Sequence, residues 1–314
     1  MRILVIGATG YIGNVISERL LKDGHRIVAS VRSAEAEKKL QAQDVETFFA
    51  SLDEDAPIIE RLAGVDAVVY AAYGYNSIET AEKEVRTGKS HLTKIIGALW
   101  GSGKTFLLIS GTGVVPDSTD KVYDESTPLP PTNSPVVMAR RNLEKEIVSA
   151  CDKGIRSIVL RPPCVYGRGG SFIVPRFLLD HALAKRESVY VEGTENHKRS
   201  AVHVDDLADL TVLAMGRAPS GSFYCTGAES GVTTQSIAEA ISKCAGIGGQ
   251  TKAVTLEESR QIFGHWGEWW SLNNQCAGDK ARRELGWTPS RPSLLEDIVN
   301  GSYATSAKGA LAVK

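Results

Sequence analysis

The sequence predicts an α/β chain: a doubly wound parallel sheet over residues 1–160, followed by a smaller lobe over 161–314, some segments of which return to the sheet. Three observations carry that expectation. Short β-branched runs alternate with segments of helical periodicity through the first half. The runs are apolar throughout rather than alternately polar, as in strands covered on both faces. A glycine-rich turn follows the first run directly and opens the first helical segment.

In chain order, strands are expected at 3–6, 26–31, 46–50, 67–71, 105–109 and 156–160, each a short apolar or β-branched run. Helices are expected at 11–22, 34–41, 57–62, 78–99 and 136–151, where apolar residues recur at helical spacing. Ligands of such a sheet bind beyond the carboxyl ends of its strands. After Leu160 the rhythm breaks, and Pro162-Pro163, Gly167, Gly169-Gly170 and Pro175 punctuate a loop. Helices are expected at 205–215, 233–244 and 256–263, and the tail after Ser302 is expected to fray.

Composition narrows the function. The 314 residues are 42% hydrophobic and 23% charged, with 36 Lys+Arg against 37 Asp+Glu and a net charge of -1. A balanced chain of that kind argues against a disordered protein and against a nucleic-acid or membrane-surface binder, which would show a basic excess. No stretch approaches the roughly 18–20 apolar residues of a membrane span. The N-terminus runs straight into an apolar strand, so no signal peptide is expected. The five cysteines, Cys151, Cys164, Cys225, Cys244 and Cys276, are widely spaced without a CxxC pair. Neither a disulfide framework nor a metal site is read there, and the expectation is a reduced, cytoplasmic protein.

The strongest motif is Gly7-Ala8-Thr9-Gly10-Tyr11-Ile12-Gly13. Gly7 permits a tight turn, Gly10 lets the backbone approach a pyrophosphate, and Gly13 lets helix and strand pack closely. The anion then sits on unpaired N–H groups at the positive end of the helix dipole, with Thr9, Tyr11 and Ile12 beside it. The pattern is read as a Rossmann-like dinucleotide cradle, the alternative being a plain glycine turn. An NAD-preferring site carries Asp or Glu about 20 residues on, for the ribose hydroxyl. Here the second strand ends Ala29-Ser30-Val31-Arg32-Ser33, with no acid. Arg32 and Ser33 suit a 2′-phosphate through charge-assisted bonds, so NADP is the expected cofactor and NAD the alternative.

At this point the chain resembles the extended short-chain dehydrogenase/reductase family, the group of nucleotide-sugar epimerases and dihydroflavonol-type reductases. The resemblance covers nearly the whole chain. It rests on Gly7–Gly13, on Asp66-Ala67-Val68-Val69-Tyr70-Ala71-Ala72, on Ser110-Gly111-Thr112, and on Leu160-Arg161-Pro162-Pro163-Cys164-Val165-Tyr166-Gly167. Two further signatures are Val202-His203-Val204-Asp205-Asp206 and Glu284-Leu285-Gly286-Trp287-Thr288-Pro289. The family implies cofactor contacts at Ala71, Ala72 and Pro162, a carbonyl-polarising role for Thr112, and a homodimer built on the helices at 78–99 and 136–151.

The departures from the family pattern bear on mechanism. Its catalytic pair is a tyrosine with a lysine four residues later. Anchored on the loop Asp124-Glu125-Ser126-Thr127-Pro128-Leu129-Pro130-Pro131 and on Glu144, those positions hold Val136 and Arg140. No tyrosine in the chain has a lysine four residues on. Arg86 stands in place of the family's asparagine, and Ser51 where an adenine-binding aspartate is common. The pattern is similar to the atypical branch of the family. Valine does no proton chemistry, and Arg140 can hold a ribose but not relay a proton. Losing the proton donor forfeits about 10²–10⁴-fold in rate unless another group replaces it. Tyr73, Tyr75, Tyr166, Cys164 and ordered water are the candidates.

Other features carry two readings each. Asp205-Asp206 reads as a helix N-cap and His203 as a structural hydrogen-bonder. His197-Lys198-Arg199 reads as a solvated turn, or as a contact to an anionic group. Trp266, Trp269 and Trp270 read as core packing or as an aromatic wall for a substrate. Lys280 and Arg282-Arg283 read as a solvated helix face. Three functions follow: NADPH-dependent reduction of a small carbonyl, enone or imine compound with a non-standard proton donor; a non-redox dinucleotide sensor; and a nucleotide-sugar epimerase or dehydratase. The last would need basic groups for a diphosphate, for which Arg176, Lys198 and Arg199 are the candidates.

Overall fold

The computed structural model describes residues 1–51, 55–72, 78–115, 117–171, 174–264, 266–305 and 307, the side chains of 78–88 excepted. The first six strands are β1 (Arg2–Ile6), β2 (Arg26–Val31), β3 (Glu46–Phe49), β4 (Ala67–Tyr70), β5 (Thr105–Ile109) and β6 (Arg156–Arg161). The later ones are β7 (Cys164–Gly167), β8 (Gly170–Ser171), β9 (Val189–Val191), β10 (Lys198–His203), β11 (Ser222–Cys225), β12 (Glu229–Thr233) and β13 (Lys252–Val254). The helices of the first half are α1 (Tyr11–Lys22), α2 (Ala34–Gln41), α3 (Asp55–Leu62), α4 (Ile78–Leu99) and α5 (Pro135–Ser149). Those of the second half are α6 (Arg176–Lys185), α7 (Val204–Arg217), α8 (Thr234–Cys244), α9 (Leu256–Phe263), α10 (Trp266–Trp270), α11 (Asp279–Leu285) and α12 (Leu294–Asn300).

A seven-stranded parallel sheet runs in the order β3-β2-β1-β4-β5-β6-β11. β1 pairs with β2 on one side (Ile3 opposite Ile27) and with β4 on the other (Ile3 opposite Ala67). The strand order reverses there, and the crevice at the carboxyl ends of β1 and β4 is where an open α/β sheet takes its ligand. Alternate residues of each strand feed two separate cores. Ile3 and Val5 pack with Val15, Ile16, Leu20, Leu207, Leu210 and Trp287 from the helices on one face. Leu4 and Ile6 pack with Leu92, Ile95, Leu143 and Ile147 on the other. Both faces are buried, which is why the strands read as continuous apolar runs.

The remaining strands form a four-stranded mixed sheet, β12-β10-β7-β8, and a parallel pair, β13-β9. With α6, α8 and α12 they enclose a third core around Tyr166, Leu179, Ile241, Trp270 and Tyr303.

Several boundaries differ from the sequence reading. The helix expected over 136–151 ends at Ser149 and tightens into a 3₁₀ turn, Ala150–Lys153, closed by left-handed Gly154. α7 begins at Val204, capped by the ring of His203 rather than by Asp205 or Asp206. Of the tail expected to fray after Ser302, residues 303–305 and 307 are helical and the others lie outside the described residues. Tyr303 and Ala307 are fully buried, and the Tyr303 hydroxyl accepts from Gly167 N–H (2.8 Å) and donates to the Gly170 carbonyl. Tyr303→Phe is therefore expected to cost about 1–3 kcal/mol, because it strands a buried N–H. Urea unfolding of the two proteins measures this, and equal midpoints would show the hydroxyl to be dispensable.

Candidate cofactor and active site

The turn after β1 tolerates only glycine at its two ends. Gly7 has φ +92°, and a Cβ there would lie 2.8 Å from the backbone of Ala71 and Ala72 at the end of β4. A Cβ on Gly13 would lie 2.1 Å from the Gly7 carbonyl oxygen. Gly10 caps α1 with no side-chain cap, and no acid sits in the first turn. The first bond into the helix is from Asn14 N–H to the Gly10 carbonyl (2.9 Å). The N–H groups of Tyr11, Ile12 and Gly13 thus have no acceptor within the helix and face a ligand at its positive end. These residues fit a dinucleotide pyrophosphate, since Gly7 and Gly13 close the turn backbone on backbone and leave the first N–H groups of α1 without a side-chain cap. A cavity of about 360 Å³ opens beside it, lined by Thr9, Gly10, Tyr11, Asn14, Val15, Lys39 and Arg168.

At the end of β2, Arg32 is exposed, and its guanidinium pairs with no carboxylate among the described residues. Ser33 caps α2, accepting from Ala36 N–H at 3.2 Å, so only its own hydroxyl hydrogen remains for a phosphate. Lys39, from α2, lines the cavity wall, which neither Arg32 nor Ser33 lines. Sequence reading missed Lys39 because a lysine in a helix half of whose residues are charged carries no signal of the direction it faces.

The other end of the crevice is built on β5. Beyond it Thr112 is buried (4% exposed) in a 3₁₀ turn, Thr112–Val114. Its N–H donates to the Pro162 carbonyl (3.0 Å), and its own carbonyl accepts from Val115 N–H (2.8 Å) and from Asn274 Nδ2 (3.4 Å). Val136 and Arg140 lie one turn apart on α5, which Ser134 caps and Pro135 starts. The Arg140 guanidinium lies against both glycines flanking Thr112. A Cβ on Gly113 would be 3.2 Å from its Nη1, and one on Gly111 3.5 Å from its Nη2. The arginine charge is thereby held against the turn that carries Thr112.

Behind them runs a buried network. Glu144 accepts from Ser110 Oγ (2.5 Å) and from Arg161 Nη2 (2.5 Å). Burial alone would lower the Arg161 pKa, and Glu144 beside it more than reverses that, raising it.

The structure removes Tyr166 from the proton-donor candidates. Its hydroxyl donates to the Pro292 carbonyl (2.7 Å), and its ring meets His203 edge-on. Burial, with Glu229 next to it, pushes its pKa well above the ordinary tyrosine value. Cys164 donates to the Val174 carbonyl (3.2 Å), and burial pushes its thiol up to about 12, so it packs as a small hydrophobe. Tyr73 and Tyr75 lie outside the described residues.

His203 accepts from Asp205 N–H (3.2 Å), and burial lowers its pKa, so it is a neutral cap. Asp206 instead accepts from Ser290 and Arg291 N–H (3.0 and 3.2 Å), fastening the loop after Trp287 to α7.

The basic cluster is not a solvated turn. Arg199 is 1% exposed, stacked on Trp269 and Trp270 at 4.2 and 4.8 Å, with Nη2 donating to the carbonyls of Trp269, Trp270 and Leu272. Burial lowers its pKa to about 10. Two of the tryptophans thus cover a cation. His197 bonds the Ser271 carbonyl (2.6 Å), and Arg176 pairs with Asp180. Lys280 and Arg282 are not a free helix face either: Lys280 donates to the Phe223 carbonyl, and Arg282 to those of Gly227 and Ala228.

The NAD dependent epimerase/dehydratase family matches residues 3–225, most of the chain and all of the crevice just described. The chain belongs to that family. It is 30% identical over 305 residues to an uncharacterized protein of Schizosaccharomyces pombe, covering 96% of this chain and 100% of the other. It is 26% identical over 313 residues to the 4-hydroxy-2-methyl-3-oxo-4-farnesyl-3,4-dihydroquinoline-1-oxide ketoreductase of Stigmatella aurantiaca, covering 91% and 92%. Among solved structures, the UDP-glucose 4-epimerase of Thermotoga maritima superposes with a TM-score of 0.77 at 19% identity, covering 99% and 100%, a likeness that shows the fold. This epimerase/dehydratase-family chain is an NAD(P)-binding enzyme of oxidoreductase type with a Rossmann fold. No helix among its described residues is long and apolar enough to cross a membrane.

Proposed function

We propose that the chain is an NADPH-dependent reductase of a small carbonyl, enone or imine compound. The carrying observation is the end of β2, where Arg32 is exposed without a carboxylate among the described residues and no acid stands where a ribose hydroxyl would need one; Lys39 of α2 adds a second cation on the cavity wall. The Stigmatella ketoreductase supports the reaction type. When bound, the reduced nicotinamide supplies a hydride. Thr112 donates a hydrogen bond to the substrate oxygen, and its turn is fixed by Pro162 and Asn274. Arg140 holds ribose hydroxyls through its guanidinium fork. Val136 contributes shape only, so the proton that completes the reduction comes from another source: ordered water, or Tyr73 or Tyr75, which lie outside the described residues. The nucleotide-sugar reading has less support, because Arg199 is sealed under tryptophans and Arg176 pairs with Asp180 at the surface, which leaves Lys198 of its three candidate cations.

Fluorescence titration with NADPH and NADH, then a carbonyl and enone panel, tests this. NADPH-selective binding with turnover is expected. Binding without turnover would favour the dinucleotide sensor, and binding of neither would remove both readings. Arg32→Asp is expected to weaken NADPH binding about 10- to 100-fold, the worth of charge-assisted bonds, while improving NADH binding. An unchanged NADPH/NADH ratio would remove Arg32 from cofactor choice.

A further inference from the structure

The loop between β7 and β8 carries an arginine in a conformation suited to glycine. Gly167, Arg168 and Gly169 take φ of +114°, +53° and +69° in succession. For Arg168 the left-handed region carries a steric penalty that glycine lacks. The surrounding structure holds it there. Tyr11 Oη donates to the Gly167 carbonyl (2.8 Å), Ser302 Oγ accepts from Gly169 N–H (2.8 Å), and Tyr303 grips Gly167 and Gly170. A Cβ on Gly170 would lie 2.7 Å from the Tyr11 ring.

From that fixed backbone the side chain crosses to α1. Nη1 donates to Glu18 Oε2 (2.5 Å), while Nε and Nη2 donate to the two oxygens of Asp205 (3.1 and 2.6 Å). Three of the five guanidinium N–H groups are used, which leaves one on each terminal nitrogen. The side chain is 40% exposed and lines the cavity that also holds Thr9, Gly10, Tyr11 and Lys39.

We infer that Arg168 binds a phosphate of the dinucleotide: its two remaining N–H groups donate to a phosphoryl oxygen at the start of α1, so the C-terminal lobe supplies part of the cofactor cradle. The assignment rests on the dinucleotide reading above. Glu18 and Asp205 fix the plane of the guanidinium fork, and Arg168 in turn offsets one of the two carboxylate charges that would otherwise repel the anion. The phosphate is either the bridging pyrophosphate, present in both cofactors, or the 2′-phosphate of NADPH.

The test is titration of the full chain, Arg168→Gly and Arg168→Lys with NADPH and with NADH, at low and high salt. Glycine removes the side chain and relieves the positive φ, so a folded variant is expected, checked by its melting curve. Dissociation constants are expected to rise about 10- to 100-fold in Arg168→Gly, with a flatter salt dependence and partial rescue by lysine. Equal loss for both cofactors assigns the pyrophosphate, and loss for NADPH alone assigns the 2′-phosphate. A folded Arg168→Gly that binds both cofactors with unchanged affinity and salt dependence would overturn the inference, leaving Arg168 as an ion pair between lobes. If the unaltered chain binds neither cofactor, the dinucleotide reading itself fails and takes this one with it.

Discussion

Gly13→Val is expected to abolish dinucleotide binding and to destabilise the fold by about 3 kcal/mol or more, beyond the usual cost of overpacking. The first added carbon would sit 2.1 Å from the Gly7 carbonyl oxygen and 2.7 Å from its carbon, both backbone atoms. Gly7 cannot retreat, because it is itself closed against Ala71 and Ala72. Relief therefore requires α1 to lift from β1, which would unpack Val15, Ile16 and Leu20, each at most 3% exposed. The same shift displaces the N–H groups that form the cradle. Gly97, in α4, is the control: among the described residues nothing lies within 4 Å of a Cβ there, so Gly97→Ala is expected to stabilise by up to about 1 kcal/mol through helix propensity. Chemical denaturation and cofactor titration of both variants decide the matter, and wild-type behaviour of Gly13→Val would show that the turn does not carry the site.

Glu144→Ala is expected to cost about 3–5 kcal/mol, the usual penalty for stranding one partner of a buried ion pair. The Glu144 and Arg161 side chains are 7% and 6% exposed, and the Arg161 guanidinium also lies over the Phe223 ring at 4.9 Å. Without the carboxylate, that charge stays buried with no counter-ion, and Ser110 Oγ loses its acceptor. Glu144→Gln should cost less, because it keeps an acceptor for Ser110. The network joins α5 to the ends of β5 and β6, from which Thr112, Arg140 and Pro162 extend. Turnover should therefore fall along with stability. Urea unfolding checks the first effect, and a stability loss below about 1 kcal/mol, the scale of an exposed pair, would show the network to be solvent-screened.

The first six strands and the cradle were legible because their signals are local. An apolar run such as Ala67–Tyr70 and three glycines in seven residues declare themselves without knowledge of the partner. What escaped reading depends on distant residues. Arg199 reads as a charged turn until Trp269 and Trp270, some seventy residues on, fold over it. Arg168 meets Glu18 across 150 residues, and Tyr303 meets Gly167 across 136. The α7 cap was misassigned by two residues because an aspartate is the commoner cap, whereas Asp206 is held by Ser290 and Arg291. In the candidate site, the glycine turn was plain from composition and position. The directions of Lys39 and Arg168 were not, since nothing in a helix or loop sequence says which cation faces a cavity.

The seventh strand sets an order of events during synthesis. β6 ends at Arg161, and β11, which pairs with its outer edge, ends at Cys225. At about 5–20 residues per second, a ribosome takes roughly 3–13 s to make the stretch between them. Through that interval the nascent sheet presents an open row of backbone donors and acceptors, the template on which strands of neighbouring chains assemble. α7 emerges within the same interval and lays Leu207 and Leu210 over the face shared with α1. The half of the protein that binds the dinucleotide is thus finished by its later half, and a nascent chain released before Cys225 is a candidate for chaperone capture rather than for cofactor.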